Sequence, residues 1–173
     1  MKHTLTLGLL LLAWGLARPA AALRDPLNNA EADALRDAAQ EPDQRIPLYV
    51  KFIRARAAAL EELRNDPRFD ADRGSRIHDL LEDIDSLAQE MDDNISSYEH
   101  QRLDLRKPLK EVIAMAGELE PKLRAMKESS SPEQAKSYGF VLDGAIDSIH
   151  ADLDDARQIT QEQEEAFKKA GKK

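Results

Sequence analysis

The segment IHDLLEDIDSLAQEMDDNISSY, residues 77–98, decides the fold. Its apolar residues return every three or four positions, which is the spacing of one helix face. These residues are Ile77, Leu80, Leu81, Ile84, Leu87, Ala88, Met91, Ile95 and Tyr98. The stripe predicts a long amphipathic helix that starts after Gly74 and runs to about Leu105, where Pro108 stops it. Arg102, Arg106 and Lys107 would then lie favourably at its negative C-terminal end.

Four further helices are predicted by apolar stripes on either side of this segment. They cover residues 29–40, 44–65, 109–128 and 132–168. Asn28 and Glu31 predict a capping box at the first of them, and Ser131 and Gln134 predict one at the last. Pro47 is expected in the first turn of its helix, where a missing N–H costs little.

Pro121 interrupts the stripe of helix 109–128 and is expected to kink that helix. Gly117, four residues earlier, would relieve crowding at the kink. No strand pattern occurs in the sequence. The chain is therefore predicted to be all-α: an elongated antiparallel four-helix bundle, up-down-up-down, with one additional short N-terminal helix laid across it.

Charge is distributed unevenly among the predicted helices. Residues 77–95 contain seven acidic residues and no lysine or arginine, and residues 143–155 contain five acidic residues and again none. The helices at 44–65 and 109–128, taken with the residues that flank them, lean positive. A sequentially wound bundle would give every helix neighbours of opposite charge and place the two acidic helices diagonally, although each surface ion pair contributes only about 0–1 kcal/mol.

The N-terminus has the pattern of a secretory signal peptide over residues 1–22. Lys2 and His3 precede the apolar run from Leu5 to Leu16, and Ala20 and Ala22 are the small residues that a signal peptidase requires. An uncleaved anchor is the alternative. The expected domains are the signal peptide, one helical-bundle domain at 23–168 and a flexible basic tail at 169–173, in the periplasm or outside the cell.

Composition narrows the classes of function. The formal net charge is −8, and it becomes −10 without residues 1–22, because Lys2 and Arg18 leave with them. So acidic a surface disfavours nucleic-acid binding and stable membrane association after signal cleavage. The chain has no cysteine, and its one tryptophan, Trp14, lies in the predicted signal peptide. Because cysteine is absent, disulfides, thiolate metal sites and cysteine nucleophiles are excluded.

His150 is the centre of the candidate metal site. Asp147 and Asp154 lie three residues before it and four residues after it, on the same side of a helix. Non-covalent haem ligation by His150 with Met91, Met115 or Met126 is a further alternative. Covalent attachment is excluded because the C-x-x-C-H motif that it requires is absent. His78 and Glu82 have a similar i, i+4 spacing. A neutral surface histidine beside carboxylates is the structural interpretation of both patterns.

Two short segments resemble known motifs. Residues 70–74 resemble a calcium loop, but the glycine comes one residue early and Leu81 stands at the twelfth position, so an EF-hand is rejected. Residues 159–163, Ile-Thr-Gln-Glu-Gln, resemble the L-T-x-x-Q motif of small periplasmic stress chaperones. Those proteins usually carry two copies at helix starts, whereas this single copy lies within a predicted helix, and the chain is not assigned to that group.

These patterns predict an exported, non-enzymatic bundle that acts by protein interaction, scaffolding or chaperone-like binding. The expected partner is another protein or a second copy of the chain, and no cofactor is expected. A periplasmic metal- or haem-binding bundle is the alternative. An enzyme is the third interpretation, disfavoured because the polar residues fall on the outward stripes of the helices.

Overall fold

The computed structural model describes residues 24–68 and 71–170, and all regular structure in these ranges is helical. The helices are α1 (Asn29–Asp37), α2 (Pro42–Asn65), α3 (Arg73–His100), α4 (Leu109–Ser129) and α5 (Pro132–Ala170). The all-α prediction is confirmed. The predicted signal peptide at 1–22 and residues 171–173 of the predicted tail lie outside the described residues. None of the five described helices combines the length and apolar content that a bilayer crossing needs.

Both predicted capping boxes are present. Asn28 Oδ1 accepts from the Glu31 backbone N–H, and the Glu31 carboxylate accepts from the Asn28 N–H, each at 3.0 Å. Ser131 and Gln134 make the same exchange at the start of α5, at 3.3 and 2.8 Å. Helix α2 begins at Pro42, earlier than predicted, because proline fits a first helical position whose N–H is not needed. Pro47 therefore lies beyond the first turn.

Helix α3 ends at His100, five residues before the predicted end. Arg102 adopts a left-handed backbone conformation with φ 61°. The Arg102 N–H donates to the carbonyl of Glu99 at 2.8 Å, and the Leu103 N–H donates to the carbonyl of Tyr98 at 3.1 Å. This pair of bonds is a Schellman motif, which usually has glycine where Arg102 stands. The prediction missed the helix end because the usual glycine is absent.

The linker from residue 101 to residue 108 is held against α5 by Gln163. The amide nitrogen of Gln163 donates to the carbonyl of Leu103 and its amide oxygen accepts from the N–H of Leu105, both at 2.9 Å. Leu105 is fully buried. Eight extended residues span up to about 26 Å. In a four-helix bundle whose neighbouring helix axes are 8–10 Å apart, two diagonally opposite axes are about 14 Å apart, so the linker is longer than this distance.

The linker is thus long enough for α4 to lie diagonally opposite α3. Helix α3 packs against α2 and α5, and α4 packs against the same two helices, while α3 and α4 make no contact over their described lengths. The prediction of a sequentially wound bundle with diagonal acidic helices is therefore wrong. Apolar packing decides the arrangement, because exposed ion pairs contribute too little to impose it.

Side-chain contacts between helices give their directions. Tyr49 lies near Glu90 and Arg56 near Asp83, so α2 and α3 are antiparallel. Helices α4 and α5 are also antiparallel, as the ion pairs Glu120–His150 and Lys127–Asp143 indicate. The remaining two contacting pairs are parallel. Helices α2 and α4 are aligned by Arg54–Glu118 and Glu61–Lys122, and α3 and α5 by Gly74–Ser137 and Asp85–Ser148.

The core is built from aliphatic residues of α2–α5 with little aromatic content. Its largest fully buried side chains are Ile46, Tyr49, Ile53, Leu81, Ile84, Leu87, Met91, Leu105, Leu109, Met115, Leu123 and Met126. Helix α4 continues through Pro121 to Ser129. A Cβ added to Gly117 would meet no atom within 4 Å outside the adjacent backbone of α4, so packing against other helices does not require glycine there.

Candidate interaction face and carboxylate clusters

The two acidic helices lie side by side. Helices α3 and α5 together carry 17 acidic and 6 basic residues, whereas α2 and α4 together carry 7 acidic and 9 basic residues. The outward sides of α3 and α5 form what is called here the acidic face. Its neighbouring like charges raise the local negative potential above that of either helix alone.

Phe140 projects from α5 with 90% of its surface exposed. Asp147 and Asp154 follow at seven-residue intervals and lie on the same side of the helix. Phe167, the other exposed large apolar side chain of the described chain, is 57% exposed, and the Arg106 guanidinium lies 3.6 Å from its ring centroid. Phe140 has no such cover, and burying a ring of this size would contribute about 2–3 kcal/mol.

His150, the predicted metal ligand, lies between carboxylates of two helices. Its Nδ1 is 3.2 Å from Glu120 on α4, and its Nε2 is 3.6 Å from Asp154 on α5. Asp147 is exposed, and no direct contact joins it to His150. The structure therefore brings together one of the two predicted carboxylates and adds Glu120, which sequence spacing could not reveal because it comes from another helix.

The carboxylates around His150 already have cationic partners. Arg124 lies 2.7 Å from Glu120, and Arg157 lies 3.8 Å from Asp154. Hydrogen bonds from Arg124 and then from His150 hold the pKa of Glu120 below its usual range. A metal ion would have to displace these cations, so the geometry favours a surface ion-pair cluster.

The methionines considered as haem ligands lie elsewhere. Met91, Met115 and Met126 are at most 2% exposed and pack within the apolar core. The His150 side chain is half-exposed at the surface of α5. Methionine in such a core serves mainly to fill irregular space, so the arrangement favours packing over ligation.

His78, Asp79 and Glu82 form a second histidine-carboxylate cluster. One potential ligand atom from each lies within 4.8 Å of the others, and all three residues are partly exposed on α3. The Arg24 guanidinium approaches the Asp79 carboxylate to 3.9 Å and donates to its backbone carbonyl at 2.8 Å. The i, i+4 spacing of His78 and Glu82 thus does produce a local cluster, with an arginine at its edge.

Asp83 belongs to a part-buried ion network that joins α1, α2 and α3. Arg56 donates to both carboxylate oxygens of Glu31 at 2.6 Å, and its guanidinium lies 3.7 Å from the carboxylate of Asp83. The Asp83 carboxylate accepts a hydrogen bond from Arg24 at 2.6 Å. Burial raises the pKa of Asp83, and the two arginines oppose that rise. Arg56 lowers the pKa of Glu31 through their hydrogen bonds. The network fastens the short helix α1 to the bundle.

Asp152, one of the five acidic residues in 143–155, is buried in the structure. Only 3% of the residue is exposed, and its Oδ2 has no hydrogen-bond partner. Burial, followed by the charges of Asp92 and Asp155, raises its pKa to about 8. The sequence contained an indication of this burial, because Asp152 lies three residues after Ile149 and four before Ala156, on the apolar stripe of α5.

A wide concavity lies at the C-terminal end of α2 and has a volume of about 980 Å³. Its lining is mostly charged and includes Arg24, Glu62, Asp66 and Arg76. No serine, cysteine, lysine or histidine occurs among the residues that line it. The ionisable groups of this lining are carboxylates and guanidiniums.

Comparison with known proteins gives no relative: no protein-family model, curated protein or solved structure matches this chain.

Proposed function

We propose that this chain is an exported, non-enzymatic helical-bundle protein that binds another protein through the acidic face, with Phe140 as the apolar contact. The observation that carries the proposal is the 90% exposure of Phe140 beside a row of carboxylates on α5. Aromatic residues, phenylalanine included, are enriched in protein–protein interfaces, and a few residues near the centre of an interface carry most of its affinity. The surrounding charge would select a basic partner and speed its approach.

A partner other than a second copy is favoured by charge. Association of two acidic faces would bring carboxylates such as Asp147 and Asp154 of one copy near those of the other. Like charges across an interface cost several kcal/mol. A protein with a positively charged, partly apolar segment could bind to the acidic face without that repulsion.

The bundle would serve as a rigid support for this contact. We take α2–α5 as an elongated four-helix bundle in which consecutive helices run in opposite directions, with α1 fastened to its side by Arg56. A filled aliphatic core and paired charges in the His150 cluster support a binding role over catalysis. Export to the periplasm or exterior rests on the signal pattern at residues 1–22.

The proposal is tested with the chain purified from an exporting host, expected by mass spectrometry to begin at Leu23. Two aggregation-prone clients of opposite charge serve as probes: reduced lysozyme, which is basic, and reduced α-lactalbumin, which is acidic. The wild type should suppress light scattering of the basic client more strongly than that of the acidic one. The Phe140→Ala variant should lose at least about half of this effect.

Phe167→Ala is the matched control, because it removes the same side chain from the same helix where Arg106 covers the ring. It should retain the activity of the wild type. Equal suppression by wild type and Phe140→Ala, or equal action on both clients, would refute binding through Phe140 and the acidic face.

A further inference from the structure

A cavity lies between the parallel helices α3 and α5, midway along their contact. Its volume is about 230 Å³, and it is lined by Gln89, Asp92 and Asp93 of α3 and by Ser148, Ala151 and Asp152 of α5. Since a water molecule takes about 30 Å³ of liquid, the cavity has room for an ion together with several waters. Its polar lining groups all offer oxygen atoms.

Asp152 is the unusual member of this lining. The residue is 97% removed from solvent, yet one of its carboxylate oxygens has no hydrogen-bond donor. Buried carboxylates are normally paired with a cation or fully hydrogen-bonded. Neither arginine nor lysine lines the cavity. An unpaired buried carboxylate that borders a polar cavity therefore indicates a missing positive partner.

Ser148 and Gln89, which line the cavity, donate hydrogen bonds to another carboxylate, that of Asp85. Ser148 Oγ donates to Asp85 Oδ1 at 2.5 Å, and the Gln89 amide nitrogen donates to the same oxygen at 2.8 Å. The hydroxyl oxygen of Ser148 and the amide oxygen of Gln89 thus remain as acceptors. A lining in which acceptors outnumber donors suits a hard cation with oxygen ligands.

We propose that the cavity between α3 and α5 binds a divalent cation of the calcium type, held by the carboxylates of Asp92 and Asp152. The cation would supply the positive charge that this seam lacks and would join two helices of like charge. The site differs from the His150 cluster and from His78, Asp79 and Glu82, where histidine or arginine already lies beside the carboxylates. It does not depend on the interaction proposed for Phe140.

The electrostatics of the cavity agree with this assignment. Burial, and then the charges of Asp155 and Asp93, raise the pKa of Asp92. Asp92 and Asp155 likewise contribute to the raised pKa of Asp152. In the empty cavity the neighbouring carboxylates favour the protonated form of Asp152, and a bound divalent cation would favour its ionised form instead.

Thermal unfolding of the full exported chain tests the site. Calcium at about 5 mM exceeds the Kd of about 0.1–1 mM typical of extracellular calcium modules, so the Tm of the wild type should rise by several degrees above that in sodium chloride of equal ionic strength. Calorimetric titration should give one calcium per chain. Asp152→Asn should abolish the Tm rise and weaken binding by more than about tenfold.

Asp154→Asn and Glu82→Gln are the controls. Asp154→Asn removes the same charge from the exposed side of α5, and Glu82→Gln removes a ligand from the His78 cluster. Both should keep the calcium-dependent Tm rise. Asp92→Asn is a second test within the cavity and should behave as Asp152→Asn does. No Tm rise in the wild type, or a rise retained by Asp152→Asn, would overturn the site.

Discussion

Asp83 and Asp152, the two buried charged residues of the described chain, meet opposite surroundings. Asp83 lies within reach of two arginines, Arg24 at 2.6 Å and Arg56 at 3.7 Å. Asp152 faces other carboxylates, and one of its oxygens has no hydrogen-bond partner. Both lie on helices of the acidic pair, so the difference comes from the neighbouring element: α2 supplies a guanidinium to Asp83, whereas α3 offers Asp152 only like charge.

The comparison shows two ways in which this bundle accommodates a buried acid. Around Asp83 the protein provides its own counter-charge, which ties α1 to α2 and α3. Around Asp152 the counter-charge must come from a proton or a bound cation. One region is therefore a structural joint, and the other is sensitive to the composition of the medium.

Removal of Arg56 should have the largest effect. Arg56→Met keeps the aliphatic stem but leaves Glu31 and Asp83 without their shared partner, and side chains of all three are at most 15% exposed. Breaking a buried ion pair from one side costs about 3–5 kcal/mol. The loss should appear in the free energy of unfolding measured with urea.

Arg54→Met is the control for this change, because the Arg54–Glu118 pair is exposed and spans α2 and α4 at 3.3 Å. It should cost at most about 1 kcal/mol. Similar losses of unfolding free energy in Arg56→Met and Arg54→Met would show that the Asp83 network stabilises the fold no more than an exposed ion pair does. The contrast drawn between Asp83 and Asp152 would then fail.

Asp152→Asn should have the next largest effect, and its sign depends on pH. With the folded pKa near about 8 and the ordinary value at 3.8, the folded wild type retains a proton that the unfolded chain releases. Its contribution to stability is therefore complete below pH 3.8 and is lost as pH rises through about 8. The variant lacks this ionisation, so its free energy of unfolding should rise relative to that of the wild type by several kcal/mol across that window.

Urea unfolding over this pH range, with a chelator present to remove divalent cations, measures the difference. Asp154→Asn should follow the wild-type profile, because Asp154 is exposed. A constant difference in unfolding free energy between Asp152→Asn and the wild type at all pH values would mean that the pKa of Asp152 is the same in the folded and unfolded chain.

Gln163→Ala should have a smaller effect on the same pair of helices. It removes both hydrogen bonds that hold the linker at Leu103 and Leu105 against α5. An unpaired buried N–H at Leu105 should cost about 1–2 kcal/mol of unfolding free energy. Gln161→Ala, which loses only an exposed contact with Glu165, should change stability by less than about 0.5 kcal/mol.

Local features of the fold were predictable from the sequence. The stripes that give α2–α5 and the caps at Asn28 and Ser131 depend on residues within one or two turns of each other, so spacing is enough to reveal them. The end of α3 was missed because Arg102 occupies a position that glycine usually fills. That substitution hides a turn whose hydrogen bonds are regular.

The features that were missed are those that join distant segments. The placement of α3 beside α5 is permitted by the long linker, which Gln163 holds against α5. The surface charge that predicted the opposite order contributes little energy. The burial of Asp83 and Asp152 was indicated by the nearby sequence, since each interrupts an apolar stripe. Which of them would find an arginine could not be known without the neighbouring helix.

The placement of α3 beside α5 gives the molecule an electric polarity across its width. Its negative side, with 17 acidic and 6 basic residues, is opposed by a side of nearly balanced charge. In the field of a positively charged body such a molecule rotates before it touches, so that Phe140 and the carboxylates on its side of α5 arrive first. Salt shortens the range of this orientation to about 8 Å at physiological ionic strength.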